Sequence, residues 1–198
     1  MNCLALDLDG TLLDSKGKFP PKHIEGLKKA QDAGVILVIA TGRYFMQTEW
    51  IMKELGFEGI LVSNDGAVTL KSNTKEIIHE FSYSIEDIEP FISFCRKNDI
   101  HFSVCTAFDY YVEIMDKHQY ENHKKYEIIH TFHEDVMQLK DRVMKFTVQD
   151  EKRKGGWQNI EVPPYLKKKA DGDFFKEIVH SESSKTSGLI KVLEILNR

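Results

Sequence analysis

Three short apolar runs near the start of the chain each stop in the same way, and this repetition constrains the fold more than any other feature. Residues 3–8 (Cys-Leu-Ala-Leu-Asp-Leu) break at Asp9-Gly10-Thr11, residues 35–40 end in Thr41-Gly42-Arg43, and Ile60-Leu61-Val62 ends in Ser63-Asn64-Asp65-Gly66. Helix-period segments lie between them. Ile24, Leu27 and Ala30 share a stripe that follows Pro20-Pro21 and stops at Gly34, and Ile51, Met52 and Leu55 share the next, which stops at Gly56. The unbroken run 35–40 fits a strand covered on both faces. Strands joined by helices of this length predict an α/β fold with a doubly wound parallel sheet. Ligands of such sheets sit at the carboxyl ends of the strands. The three polar turns are therefore expected to converge on one site.

After Gly66 the rhythm changes. Val68-Thr69-Leu70 and residues 76–81 read as a hairpin around residues 71–74. Ile85, Ile88, Ile92 and Cys95 mark an amphipathic helix, strand-like stretches follow at 102–105 and 110–114, and residues 135–139 and 143–149 predict a further helix–strand pair. The expectation is a smaller α+β domain, residues 82–179, inserted into a first domain of residues 1–81 and 180–198. Lys167-Lys168-Lys169 is read as a solvated face rather than a phosphate clamp.

Composition closes off other classes. Hydrophobic residues make up 41% of the 198 and charged residues 29%, a balance that supports a packed core rather than disorder. The net charge of -4 gives no electrostatic reason to expect a nucleic-acid or membrane-surface partner. Cys3, Cys95 and Cys105 are far apart with no Cys-x-x-Cys pair, and are expected as reduced, mostly buried thiols. The N-terminus has neither a basic flank nor a small-residue cleavage site, and the apolar runs are too short to span a bilayer. A cytoplasmic location is the expectation.

The chemistry-bearing residues sit at the strand ends. Residues two apart on a strand point the same way, so Asp7 and Asp9 can both enter one pocket as the chain turns at Gly10. Two carboxylates ~4 Å apart repel by roughly 4 kcal/mol at an effective dielectric of about 20, so the pair needs a cation or a shared proton. Mg²⁺, a hard ion that takes oxygen ligands, is the economical answer. The bland alternative is a turn with incidental acids. A calcium loop fits poorly, because Lys18 falls where its bidentate glutamate belongs. Thr41, Gly42 and Arg43 offer a hydroxyl and backbone N–H groups at a strand-to-helix turn, a cradle for phosphate. Lys185 precedes the Leu189, Ile190, Leu193, Leu196 stripe of the last helix, where the macrodipole disfavours a cation unless an anion faces it. A solvated terminal lysine is the alternative. His118, His123, His130 and His133 match no zinc spacing and are read as surface or core residues. No Gly-x-Ser-x-Gly or phosphatase-type cysteine loop is present.

Asp7-Leu-Asp-Gly-Thr-Leu-Leu13, Ala40-Thr-Gly-Arg43 and Ser63-Asn-Asp-Gly-Ala67, in this order, resemble the motifs of the haloacid dehalogenase superfamily. The closest branch is the Cof-like phosphatases, whose large α/β cap is inserted between the second and third motifs. The resemblance implies an Mg²⁺-dependent phosphohydrolase of a small phosphorylated metabolite: a sugar phosphate, a flavin-related compound or pyridoxal phosphate. It implies that Asp7 is the nucleophile forming an aspartyl-phosphate and that Asp9 is the acid and base. Thr41 and Lys185, with Gly42, would hold the phosphoryl group beside Asn64, and Asp7 and Asp9 would hold the metal. The cap would exclude water and select the substrate. A binding protein with impaired catalysis and a phosphomutase are the alternatives. The family's fourth motif, Gly-Asp followed by Asn-Asp, has no counterpart here: beyond Lys185 the only acid is Glu194. The expectation is therefore an incomplete sheet in which residues 3–8 form an open edge, through which two copies could pair.

Overall fold

Leu4 and Leu6 belong to β1 (Cys3–Leu6), the first strand of a computed structural model that describes residues 2–56, 58–170 and 175–197. Helix α1 (Pro21–Asp32) starts on Pro21, whose fixed φ suits a first turn and whose missing N–H is no loss there. β2 (Ile36–Ala40) follows, then α2 (Phe45–Leu55), which Gly56 ends in the left-handed region (φ 57°). Next come β3 (Gly59–Ser63), β4 (Val68–Lys71) and β5 (Ile77–Glu80). The strands lie in the order β1-β2-β3-β4-β5. The first two pairings are parallel and the last two antiparallel. The parallel part of the sheet ends at β3, and β4 and β5 form the hairpin expected from the sequence. Asn64, Asp65 and Gly66 all take positive φ (50°, 54° and 87°) and reverse the chain in one tight turn, too short for a helical crossover. Within the described sheet β1 is an outer strand.

The chain divides into two compact units, Met1–Phe81 with Ser183–Arg198, and Ser82–Glu182. The second boundary falls after Glu182, where the sequence reading drew it before residue 180. In the second unit, α3 (Glu89–Lys97) and α4 (Lys117–Lys125) accompany six strands: β6 (His101–Cys105), β7 (Tyr110–Val112), β8 (Thr131–Phe132), β9 (Lys145–Gln149), β10 (Leu166–Ala170) and β11 (Phe175–His180). Their order is β10-β11-β9-β6-β7-β8. One face carries Phe102, Val104, Phe146, Val148 and Ile178, buried with Phe91, Ile92 and Cys95 of α3. The helix expected from Ile85 starts later. Residues Ile85–Ile88 form a 3₁₀ turn capped by Ser84 and Asp87, and the α-helix begins at Glu89, with Pro90 in the first turn, where it displaces no hydrogen bond. Residues Val136–Gln138 likewise form one 3₁₀ turn rather than a longer helix.

The lysine run is not a solvated face. Lys168 donates to the carbonyls of Gln158 and Ile160 and lies over the Phe91 ring, and burial holds its pKa below the ordinary lysine value. Lys167 donates to Ser181 O at 2.8 Å. Lys145 and Glu177 form a buried ion pair at 2.9 Å, with Lys169 3.5 Å from the other carboxylate oxygen. Cys95 and Cys105 are buried, as expected for most of the three, and burial raises both thiols to about 12; Cys3 is exposed.

Helix α5 (Lys185–Leu196) returns to the first unit. Val192 joins Val38, Ala40, Ile60 and Val62 in one core, with Leu189 and Leu196 at its margin. Gly188 makes the approach possible: a Cβ there would lie 2.5 Å from Val62 Cγ1 and 3.2 Å from Gly66 Cα. No helix among the described residues is long and apolar enough to cross a membrane.

Candidate active site

Asp7 and Asp9 flank Leu8, which is fully buried and anchors the turn by accepting from the N–H groups of Thr11, Leu12 and Leu13 through its carbonyl. Asp7 Oδ1 accepts from Leu8 N at 2.8 Å and from Lys185 Nζ at 2.9 Å. This ion pair joins residues 178 apart in sequence, across the parallel strands, at the start of α5. Ser184 caps that helix by accepting from Ser187 N at 3.0 Å, which fixes the first turn that carries Lys185. The lysine that the macrodipole disfavours thus has a carboxylate facing it.

Asp9 is held differently. Arg43 Nη2 donates to Asp9 Oδ1 at 2.7 Å and Arg43 Nε to Oδ2 at 3.1 Å, a two-point fork. Arg43 is itself pinned by both neighbouring turns. Its N–H donates to Thr41 Oγ1 at 3.1 Å and its carbonyl accepts from Asn64 N at 2.9 Å. Thr41 is completely buried, and its carbonyl accepts from Asp65 N at 3.1 Å. A Cβ at Gly42 would sit 2.8 Å from Asp65 Oδ1, so a side chain there would displace that carboxylate. Gly66, at φ 87°, would place a Cβ 1.9 Å from Ser184 O. The third turn therefore supports the start of α5 by close backbone contact, and Ser183 Oγ donates to Asp65 O at 3.3 Å.

Of the residues named from sequence, Asp7 meets Lys185 directly, while Thr41, Gly42 and Asn64 lie in two turns stitched to each other. The Thr41 hydroxyl accepts from Arg43 N, and the Asn64 carboxamide is buried with Nδ2 lacking a hydrogen-bond partner. A buried donor without a partner is costly. It is one group here whose need a bound anion could meet. Arg43 and Asp65 were missed as site residues. The signal for Arg43 was its place beside Thr41-Gly42, read there only for backbone groups.

The fork and the lysine also change the electrostatic argument for a metal. Each carboxylate of the Asp7/Asp9 pair already has a protein cation, so repulsion between them no longer demands a bound ion. The donor set still has the right chemistry. Both hydrogen bonds to Asp7 fall on Oδ1, and oxygen ligands from one or two carboxylates, completed by water, are what Mg²⁺ accepts. Among the described residues no group of three or more histidine, cysteine, aspartate or glutamate side chains is placed to hold a metal. The fit is to a shallow, water-completed shell.

The family profile described as haloacid dehalogenase-like hydrolase matches residues 4–198. The chain belongs to the haloacid dehalogenase-like hydrolase family. Among curated relatives, 5-amino-6-(5-phospho-D-ribitylamino)uracil phosphatase YwtE of Bacillus subtilis (strain 168) is 35% identical over 68 residues, 34% of this chain and 23% of the relative. YxeH of the same organism is 24% identical over 203 residues, covering 98% of this chain and 75% of the relative. The solved structure of a hypothetical protein from Geobacillus kaustophilus HTA426 superposes with a TM-score of 0.82 at 21% identity, over 99% of this chain and 75% of that one. At that identity the likeness concerns the fold. The YwtE match spans about a quarter of that relative's length.

Proposed function

We propose that this family member is a phosphohydrolase of small phosphorylated metabolites that works through Asp7. The observation that carries the reading is the Asp7–Lys185 pair, a carboxylate held by a cation from a helix 178 residues away in sequence, at the carboxyl ends of the strands. Asp7 would attack phosphorus, forming its carboxylate O–P bond as the bond to the leaving oxygen breaks. Asp9 would deliver the proton that this oxygen takes up. Water would then attack the aspartyl-phosphate, with Asp9 accepting its proton, which restores Asp7 and releases phosphate. Lys185, Thr41 and Gly42, with the Asn64 carboxamide, are the groups assigned to hold the transferring phosphoryl. Phosphoryl transfer depends mainly on such positioning and charge neutralisation. Asp7 through its carboxylate and Asp9 through its backbone carbonyl would hold Mg²⁺, which supplies further charge neutralisation when bound. The phosphatase named for YwtE supports a small-metabolite substrate, with flavin-related compounds, sugar phosphates and pyridoxal phosphate as the candidates. A cytoplasmic setting and self-association through the outer strand β1 belong to the same reading.

One observation favours a second reading, a binding protein with weak or no turnover: both acids are neutralised by side chains, and no third metal-binding carboxylate joins them among the described residues. Phosphate release from an aryl phosphate with and without Mg²⁺ separates the two. Mg²⁺-dependent turnover that Asp7→Asn abolishes supports the hydrolase. Phosphate binding without turnover supports the second reading.

A further inference from the structure

Helix α4 is a nine-residue segment in which His123 is the one buried residue. A helix this short does not persist alone in water, and the one side chain it buries in the second unit is the His123 imidazole, with His118 and Asn122 reaching Glu151 from its polar side. The His123 ring packs edge-on against three others, with centroids 4.9 Å from His130, 5.6 Å from Tyr110 of β7 and 6.1 Å from His101 of β6. Its Nδ1 lies 3.2 Å from His130 Nδ1. One ring must donate there and the other accept, so two charged rings would set N–H against N–H. His101 Nδ1 lies 3.0 Å from Ile114 O, which can only accept, so its proton is on Nδ1. Nε2 of His101 and Nε2 of His123 are both buried without a hydrogen-bond partner. A second proton on either ring would therefore be a buried donor with nothing to receive it.

The surrounding charges do not compensate. Asp116 favours the charged form of His101, but caps α4 by accepting from Gln119 N. Glu151 is engaged by His118 and Asn122, both at 3.3 Å. Arg153 lines the same cavity of about 660 Å³ that His123, Tyr126 and Gln149 border. No carboxylate is bonded to His123 among the described residues.

We propose that His123 is an acid-released latch: protonation of its buried imidazole frees α4 from the sheet of the second unit and opens the cavity that the helix borders. Burial, with His130 and His101 adding to it, pushes His123 down to about 4 from its usual 6.5. Burial lowers His101 too. The undocked helix regains the ordinary value, so between these two pH values the open form binds more protons than the docked one. Docking is intact above pH ~6.5 and weakens as pH falls toward ~4. From pH 7.5 to pH 5 the opening equilibrium should rise ~30-fold through His123 alone.

Hydrogen exchange of the full chain tests this, with rates converted to protection factors so that the intrinsic pH dependence cancels. The amides of α4 should lose protection ~30-fold, while those of β6 and β9 keep theirs. His123→Gln, which cannot titrate, should flatten the dependence. Should that variant leave α4 undocked at every pH, an NMR titration of His123 in the unmodified protein decides, with a midpoint below 5 expected. Unchanged α4 protection at pH 5, equal loss in β6 and β9, a dependence that survives His123→Gln, or a midpoint near 6.5 would each overturn the latch.

Discussion

Arg43 and Lys185 divide the two acids between them, and this pairing sets what single substitutions should do. Asp7→Asn keeps an oxygen for the Leu8 N–H and for Lys185 but removes the attacking charge. Phosphate release should vanish while the melting temperature stays within a few degrees. Full activity in Asp7→Asn would sink the aspartyl-phosphate route. Asp9→Asn should slow turnover by ~10²–10⁴-fold, the usual worth of general acid–base help. Mg²⁺ binding should be weak in titration calorimetry, because two protein oxygens leave most of an octahedral shell to water. A sub-micromolar affinity would require a carboxylate outside the set found here. The acids and Lys185 were legible because each sits at a strand or helix terminus, where local rules single out misfit charge. The fork from Arg43 to Asp9 was not, since it joins residues 34 positions apart and depends on how two turns stack.

At the scale of elements, helix ends were the most readable part of the chain. Pro21 and Gly56 mark a start and a stop through their own backbone preferences, which need no tertiary partner. What local pattern missed was set by packing. The lysines of β10 alternate along a strand whose neighbours supply carbonyls and a carboxylate, so a charge run that looks solvated is drawn inward. The seat of α5 was hidden for the same reason: it rests on the absence of side chains at Gly66 and Gly188. Gly66→Ala combines a left-handed φ with a Cβ 1.9 Å from Ser184 O, so the turn or the helix must move. A loss of more than ~2 kcal/mol in denaturant unfolding is expected, with Lys185 displaced from Asp7. Gly188→Ala should also destabilise, against the ~1 kcal/mol that alanine ordinarily gains over glycine inside a helix. In the second unit, Asp150 accepts from Lys154 N, Gly155 N and the buried Trp157 Nε1. Burial alone would raise its pKa, but these donors outweigh burial and hold it below the ordinary value. Its stabilising contribution is thus present above the unfolded carboxylate pKa and lost as pH falls through the lower folded one. Asp150→Ala should cost ~1–3 kcal/mol at pH 7 by orphaning the indole N–H, and the difference from the parent protein should shrink in acid melts.

For the whole molecule, the exposed flank of the first unit's sheet carries the largest consequence. β1 pairs with β2 along one side only in the described sheet, and its residues Cys3, Leu4 and Ala5 are exposed, Leu4 by 39%. The strand carries no charge, proline or bulge that would discourage another strand from adding to it, which are the devices that keep natural edges from pairing. Ile190 and Leu193 of α5, 49% and 48% exposed, add apolar surface to the same unit. An uncharged edge of this kind templates pairing with a second copy. Light scattering should therefore report a mass rising with concentration toward that of two chains. Hydrogen exchange should show the outward amides of β1 gaining protection as that mass rises. Leu4→Lys places a charge on the strand where it is already exposed, so it should return the protein to a monomer without lowering its stability. A parent chain that stays monomeric at high concentration, with the β1 amides already protected, would show that the edge is covered from within the chain and that no second copy is needed.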